Sequence, residues 1–218
     1  MSGSRGVTLP NIITVARILA CPVIFFLAIS PGMAARLWAF ILFVAAGLSD
    51  VWDGWYARRY DLITDTGKLL DPIADKLLLA ATFVPFYIVS HSGREVDLMP
   101  FLFWAVEMPL WVLVVIFGRE LFMTVFRGYA ARRGVVIPAG KSGKRKTLFQ
   151  LLFAGGLLLW YPLRMYAESR GWSGGFWMFW TQLHGAWVGI MLTLAVVLTV
   201  YSMLDYLWSY RALVGIRN

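Results

Sequence analysis

A single cysteine in 218 residues, Cys21, excludes an internal disulfide, and its place inside an apolar run marks it as a packing thiol. Acidic residues are scarce too, 12 against 20 lysines and arginines, which leaves a formal charge of +8. No polar stretch is long enough for a soluble domain, no internal repeat recurs, and no cleavable leader is read. The apolar stretch from Val7 to Ser30 is interrupted by Arg17 and followed by further spans, so it reads as a first membrane helix. What these absences leave is a chain 60% hydrophobic, with a mean hydropathy of +0.69. Its excess apolar content comes in long blocks, the mark of an integral membrane protein. In a soluble protein the basic balance would point to nucleic acid. Here membrane-surface charge and an anionic substrate explain it better, and no nucleic-acid partner is expected.

The pattern predicts six helices in one membrane-embedded domain over residues 1–218, an all-α polytopic fold. They run from about Leu9 to Ile29, Ala34 to Arg58, Gly67 to Val89, Met99 to Ala131, Thr147 to Tyr166 and Gly175 to Tyr210. Turn residues separate them: Pro31-Gly32, Ser92-Gly93, Gly134 with Pro138 and Gly140, and Gly171 to Gly175. Cations crowd alternate connections, at Arg5, Arg58, Arg59, Lys68, Arg132, Arg133, Lys141, Lys144, Arg145, Lys146, Arg211 and Arg217. The other side holds only Arg36, Arg94, Arg164 and Arg170. The positive-inside rule then sets both termini in the cytoplasm, with Trp172, Trp177 and Trp180 at the far interface.

Half of the scarce acids lie in one stretch, "SDVWDGWYARRYDLITDTGKLLDPIADKLL", from Ser49 to Leu78. Asp50 and Asp53 share a face near the end of the second helix, and Asp71 and Asp75 share a face near the start of the third. A short connection, roughly Arg59 to Thr66, is expected to make the two helices antiparallel neighbours and to bring the four carboxylates to one depth. Four carboxylates so close resist ionising together. A hard divalent cation, Mg²⁺ or Mn²⁺, would resolve that and could bind phosphate oxygens. The bland alternative is a structural ion-pair cluster with Arg58, Lys68 and Lys76. Asp61 and Asp65 read as solvated loop residues. Gly54, Ala57 and Gly67 lie beside the acidic faces, where small residues serve either a ligand or close helix packing.

The run Asp50-x-x-Asp53-Gly54-x-x-Ala57-Arg58, then eight residues, then Gly67-x-x-x-Asp71-x-x-x-Asp75, resembles the signature of the CDP-alcohol phosphotransferases in every specified position. The resemblance implies six membrane helices, a homodimer, a cytoplasm-facing site in a bacterial cell membrane and one or two divalent ions. It also implies displacement of CMP from a CDP-linked lipid by a hydroxyl nucleophile. Asp50, Asp53 and Asp71 would be the principal metal ligands, with Asp75 as the general base and a further metal contact. Gly54, Ala57, Arg58, Gly67 and Thr64 would hold CDP-diacylglycerol.

Further stretches resemble the family members that use glycerol 3-phosphate as acceptor: "LPNIITVARIL" at Leu9–Leu19, "GRELFMTVFR" at Gly118–Arg127, "AGKSGKRKT" at Ala139–Thr147 and "YSMLDYL" at Tyr201–Leu207. They imply that Arg119, Arg127 and Lys144 surround the acceptor phosphate. The positive-inside rule alone would explain Arg132, Arg133, Lys141 and Arg145, and it leaves Lys146 undecided. It explains Arg119 poorly, because that residue lies in an apolar helix beside Glu120. His184, Glu107 and Arg17 read as packed polar groups, Arg17 also as a substrate contact on the resemblance. Two rivals stand beside this reading. One is a transferase of the same donor with another acceptor, such as inositol phosphate, serine or another phospholipid. The other is a cation transporter, which would need ionisable groups along a path across the membrane rather than at one end.

Overall fold

The computed structural model describes residues 8–62, 64–92, 107–135 and 141–211; of Asp65, Lys68, Lys141, Ser142 and Lys144 it describes the backbone alone. Six helices account for nearly all of the described residues: α1 Leu9–Ile29, α2 Met33–Arg59, α3 Asp65–Ser90, α4 Leu110–Arg132, α5 Lys141–Ser169 and α6 Gly175–Ser209. No strand occurs among the described residues. Five helices are long and apolar enough to cross a membrane: α1, α2, α5 beyond Lys144, α6, and α3 from Leu69. The protein is therefore a multi-pass membrane protein, and its outward surface carries large apolar side chains such as Phe26, Leu48, Val114 and Phe176. α4 is comparable in length but carries Arg119, Glu120 and Arg127 in its span, so it is not among the five.

α2 and α3 start one and two residues earlier than expected, so that Asp65, read as a loop residue, opens α3 behind its cap Thr64, and two further starts differ by more. The predicted start of the fourth helix at Met99 lies outside the described residues, and residues 107–109 are not helical. Pro109 is the N-cap of α4 and keeps Met108 away from the helical region. α5 begins at Lys141 rather than Thr147, because lysine and arginine are good helix formers and the glycine at 143 is tolerated.

The packing corrects a larger point. The connection after α2 is indeed short. Asp61 takes a left-handed conformation (φ 53°), and Thr64 caps α3 by accepting a hydrogen bond from the Gly67 amide at 3.0 Å. Yet α2 and α3 make little direct contact. α1 packs extensively against both and keeps them apart. Sequence adjacency suggested that the two acidic helices touch; α1 forms the wall between them.

α5 packs on α2 and α6, and α4 leans on α6. The main core gathers Ile24, Phe43, Phe83, Phe86, Phe153, Tyr161 and Leu192 from five helices, with Phe83 and Phe153 rings 5.2 Å apart. A smaller cluster, Met123, Phe126, Ala130 and Tyr206, joins α4 to α6. Where α5 meets α6, the edge of the Trp187 ring presses against Gly156: a β-carbon there would sit 2.0 Å from the indole. His184, stacked between Trp160 and other indoles, bonds the Gly156 carbonyl at 3.0 Å, which fits its reading as a packed polar group. Trp172 and Trp177 pack against the end of α5 through Tyr166 and Trp160.

Candidate active site

Three of the four aspartates, Asp50, Asp53 and Asp75, stand around one guanidinium. Arg17 of α1, 2% exposed, bonds Asp50 through Nη1 and Asp53 through Nη2, the latter at 2.5 Å. The same Nη1 lies 3.8 Å from Asp75. Asp71 is engaged one turn earlier on α1, where its Oδ1 is 3.0 Å from the Thr14 hydroxyl. The cation bonded to the acids is thus neither Arg58 nor Lys76. The Arg58 guanidinium lies over Gly54, 3.3 Å from where a β-carbon would stand, and Lys76 donates to Thr124 of α4 at 2.6 Å. The Lys68 side chain is outside the described residues.

The aspartate row divides two cavities. A cleft of about 160 Å³ between α1, α2 and α3 is lined by Asp53 and Asp71 with Gly54, Ala57, Arg58, Thr64 and Gly67. Every residue expected to hold the CDP moiety is therefore in one place. Pro10, Asn11 and Thr14 form its third wall, which the sequence reading missed. Asn11 accepts a hydrogen bond from Thr64 at 3.0 Å, and a β-carbon at Gly67 would come within 2.9 Å of its Oδ1. Gly67 is thus required by the close approach of Asn11 as well as by the room it leaves in the cleft.

On the other side, Asp50 and Asp75 line a cavity of about 140 Å³ with Lys76, Glu120, Lys146, Thr147 and Gln150. Lys146, undecided from sequence, is buried there and ion-paired with Glu120. Glu120 also accepts from Arg119 at 3.2 Å. Arg119 is 6% exposed, and its Nε and Nη2 are buried without a hydrogen-bond partner. Such orphaned donors are costly unless a ligand meets them. Arg127 reaches the Tyr206 hydroxyl at 3.4 Å, and the Arg119 guanidinium lies 6.0 Å from the same ring. The two arginines therefore converge on Tyr206, beside the cavity wall rather than in it. A β-carbon on Gly143, in the first turn of α5, would stand 3.8 Å from Arg119 Nη2. Lys144 follows it, with a side chain outside the described residues.

Four hard carboxylates are the donor set that Mg²⁺ or Mn²⁺ selects. In this arrangement no three acids, histidines or cysteines among the described residues stand close enough to share one ion, because Arg17 occupies the gap between Asp50 and Asp53. The residues suit such an ion in chemistry, and two of them are bonded to Arg17.

A helical membrane bundle with an acidic row at one end of its second and third helices, flanked by a small-residue cleft and a cavity holding Lys76 and Lys146, matches in family and relatives a membrane-embedded transferase of phosphate-linked groups. The chain belongs to the CDP-alcohol phosphatidyltransferase family, whose model matches residues 7–201. That family is generally dependent on divalent cations. The chain is 35% identical over 220 residues to a protein of Mycobacterium tuberculosis named probable phosphatidylglycerophosphate synthase, covering 99% of this chain and 88% of that one. It is 35% identical over 163 residues to the CDP-diacylglycerol–glycerol-3-phosphate 3-phosphatidyltransferase of Bacillus subtilis, covering 69% and 76% respectively. A cardiolipin synthase (CMP-forming) of Streptomyces coelicolor is 29% identical over 202 residues, covering 88% and 84%.

Proposed function

We propose that this protein transfers the phosphatidyl group of CDP-diacylglycerol to sn-glycerol 3-phosphate, giving phosphatidylglycerophosphate and CMP. The observation that carries this reading is the division of the aspartates between two cavities. Asp53 and Asp71 line the cleft with the small residues and Arg58, and Asp50 and Asp75 line the cavity with Lys146. The names of the relatives at 35% identity support this donor and acceptor.

In this mechanism the small-residue cleft takes the cytidine diphosphate, with Gly54, Ala57 and Gly67 leaving it room and Thr64 holding the start of α3 in place. Arg58 is a bidentate donor to the diphosphate. Asp50, Asp53 and Asp71, with Asp75 as a further ligand, would hold Mg²⁺ or Mn²⁺, which supplies positive charge to the diphosphate and to the departing CMP. Asp75 takes the proton of the acceptor hydroxyl as its oxygen attacks the lipid-bearing phosphorus and the bond to the CMP oxygen breaks. Arg119, Arg127, Lys144 and Lys146 bind the acceptor phosphate, with the unpartnered nitrogens of Arg119 as the strongest donors left for it. The cation distribution supports a cytoplasm-facing site in a bacterial cell membrane, and the resemblance supports a homodimer.

The likeness to a cardiolipin synthase over 88% of the chain keeps one other reading open, in which the acceptor is itself a lipid. Incubation of the purified protein with CDP-diacylglycerol, Mg²⁺ and a panel of acceptors, followed by mass spectrometry of the lipid formed, tests both. Phosphatidylglycerophosphate is the expected product with glycerol 3-phosphate. A product that forms only with a phospholipid, serine or inositol phosphate would overturn the acceptor assignment.

A further inference from the structure

α1 carries Asn11, Thr14 and Arg17 at intervals of three, so they rise along roughly one helix face. Each has a partner in the acidic motif: Asn11 on Thr64, Thr14 on Asp71, and Arg17 on Asp50 and Asp53 with Asp75 at 3.8 Å. Arg17 is almost wholly buried, its Nε has no hydrogen-bond partner, and it is the cation bonded to these carboxylates. One guanidinium therefore faces three acids of the row, and it bonds one oxygen of each of the two on α2.

We propose that Arg17 is the resident counter-cation of the aspartate row: it neutralises Asp50 and Asp53 while no divalent ion is bound, and it competes with that ion for the same two carboxylates. The inference rests on the metal-ligand reading of Asp50, Asp53, Asp71 and Asp75 given above. A guanidinium and a divalent ion a few ångströms apart repel strongly in a poorly screened site. The arrangement held by Arg17 brings no three acids together on one point. Loading the ion must then loosen the arginine's hold, and removing the arginine must strengthen the ion's. Without the ion, removal leaves the buried Asp53 carboxylate uncompensated, which destabilises the fold. The competing view makes Arg17 a scaffold that aims Asp50 and Asp53 at the ion, and it demands the opposite sign.

Mn²⁺ titration followed by electron paramagnetic resonance, on full-length protein in lipid nanodiscs, separates the two. Arg17→Met is expected to bind Mn²⁺ about tenfold or more tightly than the wild type, the worth of one charge-assisted contact. Its ion-free melting temperature should fall, and Mn²⁺ should raise it by more than it raises the wild type. Arg17→Lys, which can face one carboxylate at a time, should lie between. Unchanged or weaker Mn²⁺ binding in folded Arg17→Met overturns the proposal while leaving the metal reading intact. A wild-type protein that binds no Mn²⁺ overturns the metal reading and this inference with it. Should neither variant fold, infrared difference spectra of wild-type protein labelled with ¹³C-guanidino arginine decide the matter. Mg²⁺ binding is expected to shift an arginine band, and arginine bands that stay fixed while Mg²⁺ binds overturn the competition.

Discussion

The two cavities are nearly equal in size and share one row of aspartates, yet their walls differ in almost every other respect. Besides its aspartates, the cleft between α1, α2 and α3 is built from small residues, neutral polar groups and Arg58, and it is locked by local bonds from the Gly67 amide to Thr64 and from Thr64 to Asn11. The cavity toward α4 and α5 is built from long charged side chains, with Glu120 tied to both Lys146 and Arg119. A stiff wall of small residues suits a ligand whose shape is fixed, such as a nucleotide. A wall of charges suits a small anion. The difference teaches that one acidic row can serve two chemically distinct ligands when the walls on its two sides differ, with Arg58 alone among small residues on one and Lys76 and Lys146 beside Glu120 on the other.

The largest test removes what the two cavities share. Excess chelator is expected to abolish turnover entirely, and Mg²⁺ or Mn²⁺ to restore it, because every ligand of the ion belongs to the common row. Full turnover in chelator, with no ion found by elemental analysis, would break the metal mechanism on both sides at once. Next in size is Asp75→Asn, which acts on one side only. Loss of a general base should lower kcat by about 10²- to 10⁴-fold. CDP-diacylglycerol binding should survive, since Asp75 lines the other cavity. Asp71→Asn should damage binding as well, because Asp71 lines the nucleotide cleft. Near-normal kcat in Asp75→Asn would remove the base assignment.

A third test addresses the cationic side. Arg119→Ala and Lys146→Met should each reduce kcat/KM for glycerol 3-phosphate by roughly tenfold or more, the worth of one charge-assisted hydrogen bond. Apparent affinity for CDP-diacylglycerol should change much less. Kinetics with each substrate varied in turn distinguish the cases. Equal damage toward both substrates would mean that these side chains hold the fold together, for which the Glu120 pairs give a ready route.

How much of this was legible beforehand depends on whether the signal was local. The bounds of α1, Leu9–Ile29, follow from one apolar run with Pro10 at its start, and sequence and structure agree to the residue. The gathering of Gly54, Ala57, Arg58, Thr64 and Gly67 in one cleft was also legible, because helical spacing and a short connection fix it. The placement of α1 between α2 and α3 was not, since nothing in a sequence says which third helix fills a gap. For the same reason Arg17 read as a packed polar group or, on the resemblance, a substrate contact, although it is the partner of Asp50 and Asp53. The interval of three from Asn11 through Thr14 to Arg17 was the available signal: one polar face on an otherwise apolar helix needs a polar neighbour. Lys146 was undecided because a basic run at a helix entrance satisfies the positive-inside rule whether or not one of its members turns inward.

The smallest expected effect is at Thr14, and it sharpens the comparison most finely. Its hydroxyl is buried and lies 3.0 Å from both Asp71 Oδ1 and the Pro10 carbonyl, so its single proton serves one of them at a time. Thr14→Val keeps the shape of the side chain and removes the donor. Asp71 is otherwise exposed and can recover a water, which limits the loss to a modest hydrogen bond of about 0.5–1.5 kcal/mol, a factor of about two to ten. That loss should fall on affinity for CDP-diacylglycerol, because Asp71 and Thr14 line the same cleft, while the KM for glycerol 3-phosphate stays nearly constant. Thr14→Ser, which restores the hydroxyl, should return donor affinity to the wild-type value. A Thr14→Val enzyme impaired toward the acceptor instead would mean that α1 positions the whole acidic row rather than one side of it, and the division between the two cavities would lose its meaning.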